Sequence, residues 1–329
     1  MPTRPAPVRP LDAPTAAELT TAAAELLAEH GTATSPGLLA ALPEACARLG
    51  DEVRHALRPV DTADGLFVLR GLHPDDTTLG ATPGHWSTAG DAGALWDTVL
   101  LLVSALMGTP IAWEGQQDGR FVHNIVPSPG HESEQTGASS SVLLTPHTED
   151  AFHPGRAHLL LLCCMRNHDG VATTAASVRL AELAPADVEL LKRPVAPILP
   201  DDAYEQARRF PGRPAPVPTL FGTPDGPTLR FDPAYTPLDE ADPAWGDAYR
   251  RLEKELARVS VAVSLRPGDV LVVDNDVVVH GRVPFRARYD GTDRWLKRAS
   301  VRVPGRRTRP EAERAEHGYG QAAREAYAR

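Results

Sequence analysis

From about residue 111 onward the chain is built of short β-type runs separated by turn residues, a pattern that leaves few folds open. Ile111–Trp113, Arg120–Ile125, Val142–Leu144, His158–Cys164, Ala172–Val178, Leu229–Phe231, Val261–Leu265, Val270–Val273, Val277–Val279 and Ala299–Val303 are the candidate strands. Such runs predict a β sandwich or barrel. Two helical inserts interrupt them. One is Pro185–Leu191; the other is Asp242–Val259, with Trp245, Tyr249, Leu252, Leu256 and Val259 on one face. Arg266-Pro267-Gly268-Asp269 reads as a tight turn between two strands.

The N-terminal part is helical. Thr15-Ala16-Ala17-Glu18 has the form of a capping box, with Leu19, Ala22, Ala23, Leu26 and Leu27 following at helical spacing. Ser35-Pro36 starts a second helix, whose apolar period runs on through Leu42, Cys46, Leu49, Val53 and Leu57. Gly65–Leu69 is the first strand, His73–Ala89 a Gly/Pro/Thr-rich loop, and Asp91 the cap of a further helix. No repeat or linker divides the β region. The expectation is one domain, mainly β with flanking helices: residues 1–60 helical, 61–303 a β core with helical inserts, and 304–329 a charged tail.

Composition narrows the partners. Lys and Arg number 34 against 43 Asp and Glu, a net charge of −9, which argues against nucleic acid or an anionic membrane as partner. No apolar run approaches the ~20 residues that span a bilayer, and the Pro-rich start has no apolar signal-peptide core. Cys46, Cys163 and Cys164 are the only cysteines, without a C-x-x-C, which fits a reducing cytoplasm. Oligomeric state is not legible.

The chemistry centres on His147-Thr148-Glu149. Val142–Leu144 reads as a strand, Pro146 bars further pairing on its N–H side, and a loop opens at His147. In extended chain, residues i and i+2 point to one side, so His147 and Glu149 can grip one ion. With a second imidazole they make the facial triad of non-heme Fe(II) oxygenases. His280, closing the apolar run Asp269–Val279 and followed at once by Gly281, is the candidate. An iron used for oxygenation needs an electron source such as 2-oxoglutarate, whose far carboxylate needs an anchor. Arg294 offers a planar fork that cannot lose its charge. Alone, H-x-E is a short motif that also occurs in surface loops. The same three ligands would serve a zinc hydrolase, which has no use for Arg294, and a jelly-roll binding module would keep the strands without the triad.

Five blocks carry a resemblance: Trp113–Asn124 (WEGQQDGRFVHN), Thr136–Pro154 (TGASSSVLLTPHTEDAFHP), Arg166–Val178 (RNHDGVATTAASV), Gly268–Arg282 and Arg294–Val303. Together they resemble the clavaminate synthase-like branch of the Fe(II)/2-oxoglutarate oxygenases, near its arginine β-hydroxylases and asparagine oxygenase. The resemblance implies a double-stranded β-helix (jelly-roll) core and Fe(II), 2-oxoglutarate and O2 as cofactor and cosubstrates. It implies iron on His147, Glu149 and His280, and 2-oxoglutarate on Arg294 aided by a Thr of Ala172–Ala175, taken as Thr174. Arg298 falls near both the cosubstrate and the amino-acid carboxylate. Gln116, Glu149 and Asp232 fall at the substrate, with Asp232 meeting a guanidinium. No catalytic residue beyond the metal ligands is implied. The arginine enzymes carry a second acid where this chain has Ala234, so a cyclised arginine such as enduracididine ranks before arginine as the substrate hydroxylated at Cβ, in antibiotic biosynthesis. Desaturation, cyclisation, or asparagine or lysine as substrate stay open. So do plainer roles: Gln116 as a loop residue, Asp232-Pro233 as a turn, and Gly137–Ser141 as either a lid or a solvated loop. His123, His153, His158 and His168 fit no zinc spacing and are expected to be core or surface histidines.

Overall fold

The computed structural model describes residues 5–91, 93–204, 210–212 and 215–327. Its strands in chain order begin with β1 (Val8–Pro10), β2 (Leu66–Arg70), β3 (Thr109–Trp113), β4 (Val122–Ile125), β5 (Leu144–His147), β6 (Leu159–Arg166) and β7 (Thr173–Ser177). They continue with β8 (Leu220–Thr223), β9 (Gly226–Leu229), β10 (Val261–Val263), β11 (Val270–Asp274), β12 (Val278–Arg282), β13 (Trp295–Arg302) and β14 (Ala323–Glu325). The larger sheet runs β1-β2-β11-β6-β13-β3-β14, with β4 also paired to β13. The smaller runs β10-β7-β12-β5, and β8 and β9 form a hairpin. This is a jelly roll with helices packed on it.

Strand periodicity explains how the larger sheet is covered on both sides. On β6, Leu159, Leu161 and Cys163 join the core shared with the N-terminal helices, while Leu160, Leu162 and Cys164 join the core shared with the smaller sheet. β11 splits the same way, Val270 and Val272 against Leu271 and Val273. A strand buried on both faces reads as an unbroken apolar run, which is why LLLLCC and VLVV were legible as strands.

The insert helices are Pro185–Leu191 and Pro243–Val259, the latter capped by Asp242, whose side chain accepts from the Trp245 N–H. Other boundaries differ from expectation. The first helix runs Ala13–His30 and is capped by Asp12, not Thr15; the Asp12 carboxylate accepts from Thr15 N–H at 2.9 Å and Pro14 suits the first turn. The second starts at Ser35-Pro36 as predicted, but its period is split at Gly50 into Pro36–Arg48 and Asp51–Ala56. Asp91 does not cap the helix Ala94–Met107, which follows Gly93 without a side-chain cap. The loop His73–Ala89 contains a short helix, Asp76–Leu79.

Two differences reshape the site. β5 runs through Pro146 to His147, and His147 lies opposite His280. Pro146 is tolerated because β5 is an edge strand of the smaller sheet. Likewise β12 does not end before His280 but continues to Arg282. Gly281 lets β5 come close: a Cβ there would lie 2.4 Å from the Leu144 carbonyl oxygen.

The charged C-terminal segment folds onto the body. β14 pairs with β3, Ala323 opposite Trp113. Buried Glu313 meets buried Arg156, which also holds Asp276 at 3.1 Å; Glu316 holds buried Arg230, whose Nε donates to the Ala151 carbonyl at 2.9 Å. Arg156→Ala should therefore lower the unfolding free energy by roughly 3–5 kcal/mol, because it leaves buried carboxylates short of a partner. Arg309, 3.3 Å from Asp276, holds the loss toward the lower figure. Urea unfolding reads it; a change below ~1 kcal/mol would show that the network relaxes around the gap.

Candidate active site

Between the sheets lies a cavity of about 570 Å³. Alternation decides what enters it. Arg294, Leu296 and Arg298 line it from β13 and the residue before it, His280 and Arg282 from β12, and Thr173 from β7. His147 closes β5, Glu149 follows it, Asp232 follows the β8–β9 hairpin, and Asp201 comes from the connection after Ile198.

His147, Glu149 and His280 offer ligand atoms all within 4.8 Å of one another. Glu149 Oε2 lies 3.3 Å from His280 Nε2 and 3.8 Å from His147 Nε2. Among the described residues this is the one such group of His, Cys, Asp or Glu. The donor set suits a divalent cation. His147 Nδ1 donates to the Thr145 carbonyl at 2.8 Å, which leaves Nε2 with its lone pair toward Glu149. Glu149 Oε2 is buried without a hydrogen-bond partner, an orphan that a cation between the three groups would satisfy. The backbone is clamped to match: Asn275, in the β11–β12 turn, accepts from Glu149 N–H at 2.8 Å and donates to the Glu149 carbonyl at 3.0 Å. Asp150 then turns away at φ 53°, its carboxylate held by Trp113 Nε1 and the Tyr204 hydroxyl, each at 2.6 Å.

Electrostatics follow the same division. Burial alone would raise the Glu149 pKa, but Arg298, His147 and His280 outweigh it and hold the carboxyl well below its usual range. Burial opposes the His147 imidazolium, yet Glu149 and Asp232 push it up to about 9; His280 is lowered by burial and by His147. Arg298 grips Glu149 Oε1 with Nη1, and its Nη2 meets Gln116 Oε1 and His123 Nδ1, both at 2.9 Å. Gln116 and Arg298 are thus brought to one wall.

Arg294 is buried with no carboxylate beside it among the described residues; Nη2 donates to Thr173 Oγ1 at 2.8 Å and Nε has no partner. Burial pushes its pKa down to about 10, so it stays a cation. The threonine at Arg294 is Thr173 and not Thr174. Thr173 pairs with Arg282 and Thr174 with Gly281, so the strand's two-residue period turns Thr174 to the other face, outside the cavity lining.

Asp232 is buried and accepts from Ala234 N–H at 3.1 Å; burial, more than its neighbours, pushes it up to about 6. Asp201, half-buried, accepts from Ala203 N–H at 2.9 Å and is pushed up to about 7 by burial, Asp150 and Glu149. Among the described residues neither makes a salt bridge, and the cation that acts most on Asp232 is His147. Asp201, Arg282 and Asn275 were not singled out from sequence. Arg282 had a signal, two residues past His280 on one strand; Asp201, in a loop with no period, had none. His123 contacts Arg298, His153 Nε2 the Gln321 carbonyl, and His158 Nδ1 accepts from Val303 N–H; the first two are buried and His158 is half-buried.

A family model described as "Taurine catabolism dioxygenase TauD, TfdA family" matches residues 39–300. The chain is 39% identical to an enduracididine beta-hydroxylase of Streptomyces hygroscopicus over 286 residues, 78% of this chain and 83% of the relative. Its fold superposes on the non-heme iron oxygenase OrfP, solved with Fe, succinate and (3R,4R)-dihydroxy-L-Arg, with a TM-score of 0.82 and 38% identity over 90% of this chain and 94% of the other. It also superposes on an asparagine oxygenase solved with Fe(II), 2S,3S-3-hydroxyasparagine and succinate, at TM-score 0.82 and 32% identity over 90% and 93% of the chains. Sequence match, jelly roll and the His/Glu/His group at its mouth agree, and the chain belongs to the TauD/TfdA family of dioxygenases.

Proposed function

We propose that this protein is an Fe(II)- and 2-oxoglutarate-dependent hydroxylase, one oxygenase domain, acting at Cβ of a free amino acid with a guanidine-type side chain. A cyclised arginine ranks first and arginine second. The setting is antibiotic biosynthesis in a reducing cytoplasm, where buried, unpaired Cys46, Cys163 and Cys164 are at home. Among the described residues no helix is long and apolar enough to cross a membrane. The carrying observation is the segregation of charge in one cavity: among the described residues Arg294 and Arg282 have no acid beside them, and Asp232 and Asp201 make no salt bridge. The first pair fits a dicarboxylate and the second a cationic side chain. The similarity to proteins named for enduracididine and solved with hydroxylated arginine supports the same side-chain class.

His147, Glu149 and His280 would hold the iron, which with 2-oxoglutarate and O2 supplies the oxidising power for an unactivated C–H bond. The chain's own part is binding, orientation and exclusion of water. Arg294, steadied by Thr173, receives the far carboxylate of 2-oxoglutarate. Arg298 and Gln116 present donors to the amino acid's α-carboxylate and backbone, and Arg298 keeps Glu149 ionised. Asp232 and Asp201 receive the guanidine, and a stiff ring loses less entropy there than a flexible chain. The absent acid at Ala234 is offset by Asp201.

The test is an anaerobically reconstituted Fe(II) enzyme screened against free amino acids, with product mass, 2-oxoglutarate consumption and succinate recorded together. Succinate formation separates an oxygenase from a zinc hydrolase. Asp232→Asn is expected to cripple turnover of the basic substrate while uncoupled 2-oxoglutarate decay continues. Equal rates on asparagine or leucine, with Asp232 dispensable, would sink the substrate assignment. A pH series adds a second check. Burial pushes Asp232 up to about 6 and Asp201 up to about 7, so as pH falls through that range both lose the charge that attracts a cation. KM for the basic amino acid should rise as pH falls from 7.5 through about 6, and Asp232→Asn should flatten that rise.

A further inference from the structure

Arg282 is buried two residues beyond His280 and faces the same cavity. Among the described residues all of its side-chain hydrogen bonds go to one stretch of the 126–143 connection. Nη1 donates to the Ser139 and Ser140 carbonyls at 2.8 and 3.2 Å, and Nη2 to Ser139 Oγ at 3.0 Å and the Val142 carbonyl at 3.0 Å. The same stretch receives Phe285 N–H at the Ser140 carbonyl, 2.8 Å, and Phe285 lies under the guanidinium, 4.9 Å from ring centroid to Cζ. The connection supplies Ser128, Thr136, Gly137 and Ala138 to the cavity wall. Four neutral acceptors satisfy the donors of Arg282 but not its charge. Thr173, which accepts from Arg294 Nη2 at 2.8 Å, lies opposite Arg282 in the β7–β12 register, so the two cations face one region of the cavity, and no carboxylate stands by either among the described residues. Two uncompensated guanidinium groups in a desolvated pocket oppose each other until an anion arrives.

We propose that Arg282 is a positioning residue that couples cosubstrate binding to the 139–142 segment: the dicarboxylate received by Arg294 supplies the charge that lets Arg282 sit beside it, and Arg282 in turn holds the segment over the cavity. The coupling rests on the proposed use of 2-oxoglutarate. By linkage it is reciprocal, so loosening the segment must weaken the dicarboxylate. A lysine at this position keeps the charge but loses the fork that reaches several acceptors at once.

Hydrogen exchange of the anaerobic Fe(II) enzyme, read on peptides spanning 136–143 with and without saturating 2-oxoglutarate, tests it beside a calorimetric titration of 2-oxoglutarate. In the wild type, 2-oxoglutarate should slow exchange there at least tenfold. Arg282→Met should abolish that slowing and weaken 2-oxoglutarate at least tenfold, with KM for 2-oxoglutarate moving more than kcat. Arg282→Lys should restore affinity in part but not the slowing. If Arg282→Met does not fold, the wild-type and Arg282→Lys measurements still decide. Wild-type binding without slowed exchange overturns the coupling and leaves the oxygenase assignment standing, as does undiminished slowing in either variant. Failure of the wild type to bind 2-oxoglutarate at all overturns both.

Discussion

Alanine at His147 or at His280 should abolish Fe(II)-dependent turnover and strip the protein of iron, without unfolding it. Each removal takes one of three donors from a group whose remaining atoms cannot close around an ion. Losing only an outer hydrogen bond to a metal ligand costs roughly 10–100-fold in affinity or activity, so losing a ligand should cost more. His147 ends an edge strand and His280 presents its ring to the cavity, so neither deletion leaves a hole in the apolar core. Iron content after anaerobic reconstitution and succinate release are the two readings, with circular dichroism as control. A variant that keeps iron and near wild-type rate would remove that histidine from the metal site.

The second large effect belongs to Arg294. In a desolvated pocket, breaking a charge pair by deleting one partner costs roughly 3–5 kcal/mol, which at 1.4 kcal/mol per decade is about a hundredfold to a few thousandfold in KM for 2-oxoglutarate. The fold should not suffer. Among the described residues Arg294 has no carboxylate beside it, so its removal leaves no buried charge unpaired, only the Thr173 hydroxyl without its donor, and relieves its repulsion with Arg282. Arg294→Ala should thus unfold at the same or higher denaturant while demanding far more cosubstrate. An unchanged requirement for 2-oxoglutarate would shift the anchor to Arg298 or Arg282.

How much of this was legible depended on whether local chemistry or distant packing made the choice. The runs LLLLCC and VLVV declare themselves because both faces of their strands are buried. H-T-E was legible because a two-residue period puts two donors on one side. The same period, carried to Ala172–Ala175, needs a known register to tell Thr173 from Thr174, and register is set by a partner strand more than a hundred residues away. Pro146 misled because its local effect is to stop pairing, whereas its position at a sheet edge makes that effect harmless. Thr15 looked like a cap by pattern, but Asp12 reached the free N–H first. Asp201 is invisible from its neighbours, since only the fold brings its loop to the cavity.

The clasp between the C-terminal segment and the wall of the cavity carries a consequence for biosynthesis. Arg230 reaches the Ala151 carbonyl with one nitrogen and Glu316 with two others. The loop bearing Glu149 and Asp150 is therefore backed by carboxylates translated long after it. A nascent chain with residues 311–325 still inside the ribosomal tunnel holds Arg156 and Arg230 against an incomplete set of acids. It also leaves the outer edge of β3 without a neighbour. Such a chain has every proposed metal ligand but not the acids that back the loop carrying Glu149, so removal of residues 311–325 is expected to loosen the site without touching any of those ligands.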